Sequence, residues 1–438
     1  MKMQKLFIKT YGCQMNEYDS AKIADILAAS CGLVTTETPS KADLIILNTC
    51  SVRAKASEKV FSELGRLRFL KKKNPNLVLA VGGCVSMQEQ TNIFRRAPYV
   101  DVVFGPQTLH RLPKMYEKAC NKEKRIIDIT TPKIEKFDYF PTPDVKGAIA
   151  HVSIMEGCNK FCSYCIVPYT RGIEMSRPSI DILVEIKTLT DQGVKEIQLL
   201  GQNVNAYRDP NKKYTFSNLI HEIAKIKTIE RINFTTSHPA EFGDDLITAF
   251  ASEPKLTNSI HLPIQSGSNR ILKLMRRGYT CEEYQKIIDK LRKIRPNIGV
   301  STDIIVGFPT ETEEDFADTM KIVQTINFNA AFSFIYSPRP NTPAAKMEDN
   351  IPLAQKKQRL LDLQNQLAIQ SREYNKTMVG TVQKVLVVGR DKKKHNQFSG
   401  RTENNHIVHF TAPKDLLGEI VEVKIVDAMS NSLRGELL

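Results

Sequence analysis

The chain has 438 residues, 41% hydrophobic and 25% charged, the balance of a globular protein too long for one ordinary core. Its formal net charge of +14 gathers at the two ends, with runs at Lys71–Lys73 and Arg390–His395; this fits either a solvated basic surface or a polyanionic partner such as nucleic acid. No apolar run approaches membrane-spanning length and the start MKMQKLFIKTYGC lacks the pattern of a secretion signal, so a cytoplasmic protein with reduced thiols and no membrane partner is expected.

Short apolar runs alternate with helical patterns over residues 3–121. KLFIKTYGC leads into a helical stretch from Glu17 to Ala29, ADLIILNTC into one from Ala54 to Lys72, and NLVLAVGGC into one beginning near Ser86; YVDVVFGP supplies a further strand. Unbroken apolar strands separated by helices predict a doubly wound α/β domain with a parallel sheet covered on both faces. Cys13, Cys50 and Cys84 each close one of these strands. Any one of them could be a small core residue, but three on the edge where such sheets bind ligands point to a ligand set. Cys31, Cys120 and Cys281 lack that context.

A weakly patterned stretch, TTPKIEKFDYFPTPDVKG, marks a linker placed at residues 122–143. Residues 144–374 then offer six strand candidates: GAIAHVSIMEG, VKEIQLLGQNV, RINFTTSHP, NSIHLPIQSG, IGVSTDIIVGFP and NAAFSFIYSPRP. Helical stretches such as Ser179–Gln192 and Thr280–Ile294 lie between them, which predicts a closed or partial parallel (β/α)6 barrel. Polar residues collect after the strands, at Gln202, Asn203, Ser237, His238, Gln265, Ser266 and Asp303. After the polar helix LAQKKQRLLDLQNQLAIQSREYNKTM, residues 376–438 show short alternating runs that predict a small all-β barrel.

Three of the nine cysteines, Cys158, Cys162 and Cys165, fall within EGCNKFCSYC just after the first barrel strand. A disulfide would strand one thiol in a reducing compartment, and a closed zinc site lacks a nearby fourth ligand. Three thiolates on an iron–sulfur cluster leave one iron open for a small molecule, and this reading is preferred to zinc.

The spacing C-x3-C-x-aromatic-C, with Tyr164 as the aromatic, resembles the signature of the radical S-adenosylmethionine enzymes. TYGCQMNEYDS, LNTCSVR, VGGC, GQNVNAY, HLPIQSGS, DIIVGFPTET and YSPRPNTPAA extend the resemblance across the chain to the methylthiotransferases. YGCQMN and VPYTRGIEMSRP favour the branch that acts on dimethylallyladenosine beside the tRNA anticodon. The resemblance implies two [4Fe–4S] clusters, a radical one on Cys158, Cys162 and Cys165 and an auxiliary, sulfur-supplying one on Cys13, Cys50 and Cys84, these six residues carrying the catalysis. It also implies a radical barrel, a C-terminal TRAM domain, S-adenosylmethionine as methyl donor and radical source, a reducing electron donor, a sulfur source and a monomer. Gly201, Gln202, Ser237, Gln265, Ser301 and Asp303 are candidate S-adenosylmethionine contacts, against the alternative of ordinary strand-end polar residues. Arg390, Lys392, Lys393 and Lys394 are candidate contacts to the anticodon stem-loop phosphates. Arg171 and Glu174 either shape the site or form a structural ion pair. Thr310 and Asn341 stand where the family usually has glycine, which affects loop shape. Alternatives are methylthiolation of another tRNA adenosine or of a ribosomal-protein aspartate, and a non-catalytic, metal-stapled RNA-binding protein.

Overall fold

The computed structural model describes residues 3–438 except Val52, Arg53, Lys133, Ile134, Tyr139, Asp144, Lys146, Lys213 and Lys392–His395. The chain forms two compact units. One comprises Met1–Asp144, Glu156–Met175 and Ser337–Ala345; the other comprises Val145–Met155, Ser176–Tyr336 and Lys346–Leu438. Among the described residues no helix is long and apolar enough to cross a membrane.

The first unit is built on strands β1 (Lys5–Tyr11), β2 (Val34–Thr35), β3 (Leu44–Thr49), β4 (Val78–Gly83), β5 (Val102–Phe104) and β6 (Ile126–Asp128). They form one parallel sheet in the order β2-β1-β3-β4-β5-β6. Every residue of β3 and β4 is buried, as expected for central strands covered on both faces. Residues of α1 (Gln14–Cys31) and the helix Leu112–Cys120 share one core with Leu6, Leu44, Ile46 and Val78. Val60, Leu64 and Leu67 of α2 (Ala54–Lys73) pack on the other face with Ile45, Leu47 and Leu79. The doubly wound domain is thus as expected. Some details differ: β2 and β6 had no counterpart in the sequence reading, and α3 (Cys84–Glu89) opens at Cys84 itself rather than near Ser86. The stretch read as linker also holds a short helix, Glu135–Asp138, with Lys136 fully buried.

The second unit contains six parallel strands in two sheets of three. Ile149–Ser153, Glu196–Leu200 and Arg231–Phe234 form one; Ser259–His261, Gly299–Val306 and Ala330–Ile335 form the other. An isolated parallel bridge, Ile232 with Leu256, leads from the first sheet toward the second, so the barrel is partial. Alternate residues point outward into the core under the helices (Val152, Ile197, Leu199, Ile232, Val300, Ile304). The intervening positions, among them His151, Gln198 and Asn233, sit at one level across the first sheet. Helices Phe216–Ala224, Cys281–Ile294 and Glu313–Ile326 each begin with a reciprocal capping box, at Thr215, Thr280 and Thr312.

Five strands, Val382–Arg390, Gln397–Arg401, Ile407–Thr411, Ile420–Ala428 and Leu433–Leu437, close into the expected small barrel. Arg231, at the foot of the partial barrel, donates to the carbonyls of Arg401 and Lys384 at 2.8 Å each. Its charge faces the buried Glu196 carboxylate at 4.0 Å.

Candidate functional site

The three strand-end cysteines of the first unit stand side by side. Tyr11 pairs with Thr49 and Thr49 with Gly83, so Cys13, Cys50 and Cys84 follow the last paired residues of three adjacent strands. Neighbouring strands lie about 4.8 Å apart, and the Cys50 end lies between the other two. The Cys50 N–H donates to the Tyr11 carbonyl at 2.9 Å, tying two of these ends together.

The glycines before the cysteines make room for this approach. Gly12 has φ +139°, and a Cβ there would lie 2.3 Å from Cys50 Cβ. Gly83 has φ +87°, and a Cβ there would lie 2.4 Å from the Thr49 carbonyl oxygen. Both conformations and both distances exclude a larger residue. Beneath the edge, Asn48 donates to the Asn16 carbonyl and to Ser20 Oγ at 2.9 Å each, and Asn16 donates to Asn48 Oδ1 at 3.2 Å. This buried amide network holds the start of α1 on β3 and was missed in the sequence.

The hydrogen bond with Cys50 draws the Cys13 thiol down to about 6, with help from Arg171 and the backbone at Asn16 and Met15. In the second trio, burial pushes the Cys158 thiol up to about 11, and the neighbouring Cys162 adds to it. The loop of this trio folds back on itself: the Cys158 N–H donates to the Gly172 carbonyl at 3.2 Å, and the Cys165 N–H to the Cys162 carbonyl at 3.0 Å. Gly157, at φ +74°, would place a Cβ only 1.9 Å from the Ile173 carbonyl oxygen. Phe161, between Cys158 and Cys162, is held in the left-handed region at φ +46°.

Both trios belong to the same compact unit. Among the described residues no three His, Cys, Asp or Glu side chains already stand in metal-holding geometry. The donor set nevertheless fits an iron–sulfur group, since soft thiolates are its usual ligands and the glycines keep the space between the strand ends clear.

A buried group of four charges joins the two trios. The Arg171 guanidinium donates to Asp19 Oδ2 at 2.7 Å and to Glu156 Oε1 at 3.4 Å. Lys136 Nζ bonds the same Glu156 oxygen and the Pro106 carbonyl, and lies 3.8 Å from Asp19 Oδ1. Gln107 donates to Glu156 and, at 3.0 Å, to the Arg171 carbonyl. Burial disfavours the Arg171 charge, but Asp19, Cys84, Glu156 and Cys13 outweigh it and hold the group protonated. Arg171 is therefore in an ion pair, with Asp19 and Glu156.

The candidate S-adenosylmethionine contacts lie in the second unit, in two groups. Gly201 accepts from Thr236 Oγ1 at 2.7 Å, beside Gln202 and Ser237. A Cβ on Gly201 would meet Met155 Cγ at 2.5 Å, so this position too needs glycine. Ser237 Oγ and both amide atoms of Asn203 are buried with no hydrogen-bond partner among the described residues. On the other sheet the Gln265 N–H donates to the Asp303 carbonyl at 2.9 Å. His261 joins Ser301 Oγ (3.0 Å from Nδ1) to the Asp303 carboxylate (3.5 Å from Nε2). Of the candidate RNA contacts, Lys392, Lys393 and Lys394 lie outside the described residues. Arg390 is described and lies 3.5 Å from the Asp415 carboxylate and over the Phe398 ring.

Three family models match stretches of the chain. Residues 5–105 match the Uncharacterized protein family UPF0004, residues 152–323 the Radical SAM superfamily, and residues 376–438 the TRAM domain. The fold resembles that of a radical S-adenosylmethionine methyltransferase, TsrM, from Kitasatospora setae, with a TM-score of 0.58 at 13% identity over 79% of this chain and 77% of that one. It also resembles the cobalamin-dependent S-adenosylmethionine radical enzyme OxsB, with a TM-score of 0.56 at 14% identity over 84% of this chain and 56% of that one. Fold and site together define a radical S-adenosylmethionine protein with an added N-terminal sheet domain and a C-terminal TRAM barrel.

Closer relatives narrow the class. A tRNA-2-methylthio-N(6)-dimethylallyladenosine synthase of Legionella pneumophila (strain Corby) is 57% identical over 100% of this chain and 98% of the relative. One from Mannheimia succiniciproducens is 55% identical over 99% and 92%. The chain belongs to this family of radical S-adenosylmethionine tRNA methylthiotransferases.

Proposed function

We propose that the chain converts N6-dimethylallyladenosine beside the tRNA anticodon to its 2-methylthio derivative, in the cytoplasm. The observation that carries this reading is the row of Cys13, Cys50 and Cys84 on three adjacent strand ends, in the same compact unit as the Cys158, Cys162 and Cys165 loop. A single cluster with S-adenosylmethionine needs only the second trio, so a second set of thiols supports sulfur insertion.

Cys158, Cys162 and Cys165 would hold the radical cluster, and Cys13, Cys50 and Cys84 the auxiliary one. Bound there with S-adenosylmethionine, these groups supply a hydrogen-abstracting radical, sulfur and a methyl group, which the non-acidic C2–H of adenine requires. The chain's own residues bind and orient. Gly12 and Gly83 keep the space between the first thiols clear, and Asn16 and Asn48 hold the edge that presents them. Gly201, Gln202, Ser237, Gln265, Ser301 and Asp303 line the strand ends from which S-adenosylmethionine would be held. An anticodon loop offers unstacked bases, the kind of RNA feature proteins read directly, with phosphates met by basic residues of the TRAM barrel. A reducing electron donor and a sulfur source complete the requirements.

The test is anaerobic reconstitution followed by turnover on tRNA with and without the dimethylallyl group, read by nucleoside digestion. Two clusters per chain and a 2-methylthio product on the dimethylallyl substrate are expected. One cluster, or no modified nucleoside, overturns the reading.

A further inference from the structure

We propose that the buried quartet Asp19, Lys136, Glu156 and Arg171 is a registry device that fixes the Cys158–Cys165 loop against the strand-end cysteines. This inference rests on the reading that both trios serve one reaction.

The quartet's placement supports it. Glu156 precedes Cys158 by two residues and Arg171 follows Cys165 by six, so the two charges bracket the loop. Asp19 belongs to α1, the helix that opens just after Cys13, and the Arg171 helix (Val167–Arg171) packs on α3, which opens at Cys84. Lys136 comes from the segment that leaves the sheet domain. All four side chains are at least nine-tenths buried, and the two positive and two negative charges balance.

Burying four charges is a poor route to stability. Ion groups of this kind can often be replaced by apolar side chains of similar volume at little or no cost, whereas removing one member leaves an uncompensated charge. What charges supply and apolar contacts do not is direction. Each carboxylate accepts only along defined lines, and the arginine fork fixes two of them. Apolar packing at this junction would let the loop slide. A shift of about 1 Å between groups that must meet one base costs roughly a hundredfold in rate.

The test replaces the whole quartet, Asp19→Leu, Lys136→Met, Glu156→Leu and Arg171→Met, in the full chain. Three readings are taken: Tm of the metal-free protein, hydrogen exchange of the amides of residues 158–166, and, after reconstitution, methylthio product per deoxyadenosine released. The proposal expects an unchanged or higher Tm, at least tenfold faster exchange confined to the loop, and at least a tenfold fall in product per deoxyadenosine. Loop exchange as slow as in the unaltered chain overturns it. A collapse of Tm with faster exchange throughout β1, β3 and β4 also overturns it, because the quartet would then be holding the fold itself. Failure of the unaltered protein to modify tRNA would instead remove the proposed function, a result visible without the variant.

Discussion

The Arg171 guanidinium donates to the Asp19 carboxylate at 2.7 Å, a buried contact between residues 152 positions apart. With Asp19 removed, Glu156 is the one carboxylate of the quartet left between Arg171 and Lys136, so their two positive charges are under-compensated. Asp19→Ala should therefore cost about 3–5 kcal/mol of stability. Urea unfolding of the metal-free protein checks this, and a loss below about 1 kcal/mol would show that water or rearrangement compensates the charge.

Two alanine substitutions separate space from propensity. At Gly12 an added Cβ would lie 2.3 Å from Cys50 Cβ on a backbone at φ +139°. On the proposed assignment of one cluster to each trio, Gly12→Ala should push the first two cysteines apart and roughly halve the iron bound per chain, since only the Cys13, Cys50 and Cys84 trio is disturbed. Gly65 lies within α2, and an added Cβ there meets nothing within 4 Å. Gly65→Ala should leave iron content alone and stabilise by about 0.5–1 kcal/mol. Iron and sulfide analysis beside thermal unfolding reads both.

The site residues were legible in uneven measure. The strand-end cysteines could be picked out because each closes an apolar run, two of them directly after a glycine, a local signal that survives without partners. The Cys158–Cys165 loop drew notice for a similar reason, since three thiols at fixed spacing suggest their chemistry by the spacing itself. The charge quartet carries no such signal. Asp19, Lys136, Glu156 and Arg171 come from four segments; Arg171 alone drew notice, with Glu174 as its candidate partner, while the other three look like ordinary surface charges and Lys136 even falls in the stretch read as linker. Long-range pairing leaves no trace in local periodicity. β6 was missed because Ile126–Asp128 is only three residues long and follows a run of charged residues that reads as loop. Likewise α3 was expected to begin near Ser86, but the tight turn at Gly83 lets the helix start at once.

Charge on the small barrel offers a test in solution. Changing Lys392, Lys393 and Lys394 together to Glu should weaken binding of the anticodon stem-loop and lower the salt slope by about one unit per lysine. Arg390 lies near Asp415 and over Phe398, so part of its side chain is engaged within the barrel, and Arg390→Ala should have a smaller effect. Fluorescence anisotropy across a salt series measures both, and an unchanged slope for the triple variant would remove these lysines from the interface.

Acid should weaken the second unit through Asp315. Burial raises this carboxyl's pKa, but Arg270, Ser268 and Thr312 outweigh burial and hold it well below the usual carboxylate range. A group whose folded-state pKa is depressed contributes fully above its unfolded pKa, about 3.9, and loses that contribution as pH falls below it. Asp315→Asn should therefore lower stability near neutral pH and flatten the decline between about pH 4 and 2. The urea midpoint of the metal-free protein, followed over that range, gives the comparison. Parallel curves for the two proteins would assign the acid sensitivity to other groups.

Thr310 supplies the last test, and it joins sequence to backbone. Thr310 and Asn341 both lie in the left-handed region, at φ +71° and +66°, where glycine is favoured. Asparagine tolerates that conformation because its short amide bonds locally; a β-branched side chain does not. Thr310 is held there by Arg270, which donates to its carbonyl at 2.6 Å and to its hydroxyl at 3.4 Å while also bonding Asp315. Thr310→Gly should relieve about 1–2 kcal/mol of strain. The more flexible unfolded glycine takes back up to about 1 kcal/mol. A net gain between about zero and 2 kcal/mol follows, provided the carbonyl contact to Arg270 survives. Asn341→Gly should change stability by no more than a few tenths of a kcal/mol, roughly the smaller strain of asparagine against the same entropy. Denaturant midpoints for the two variants decide it: equal shifts would mean that the threonine is not strained by its backbone, and a loss for Thr310→Gly would mean that its hydroxyl contact outweighs the strain.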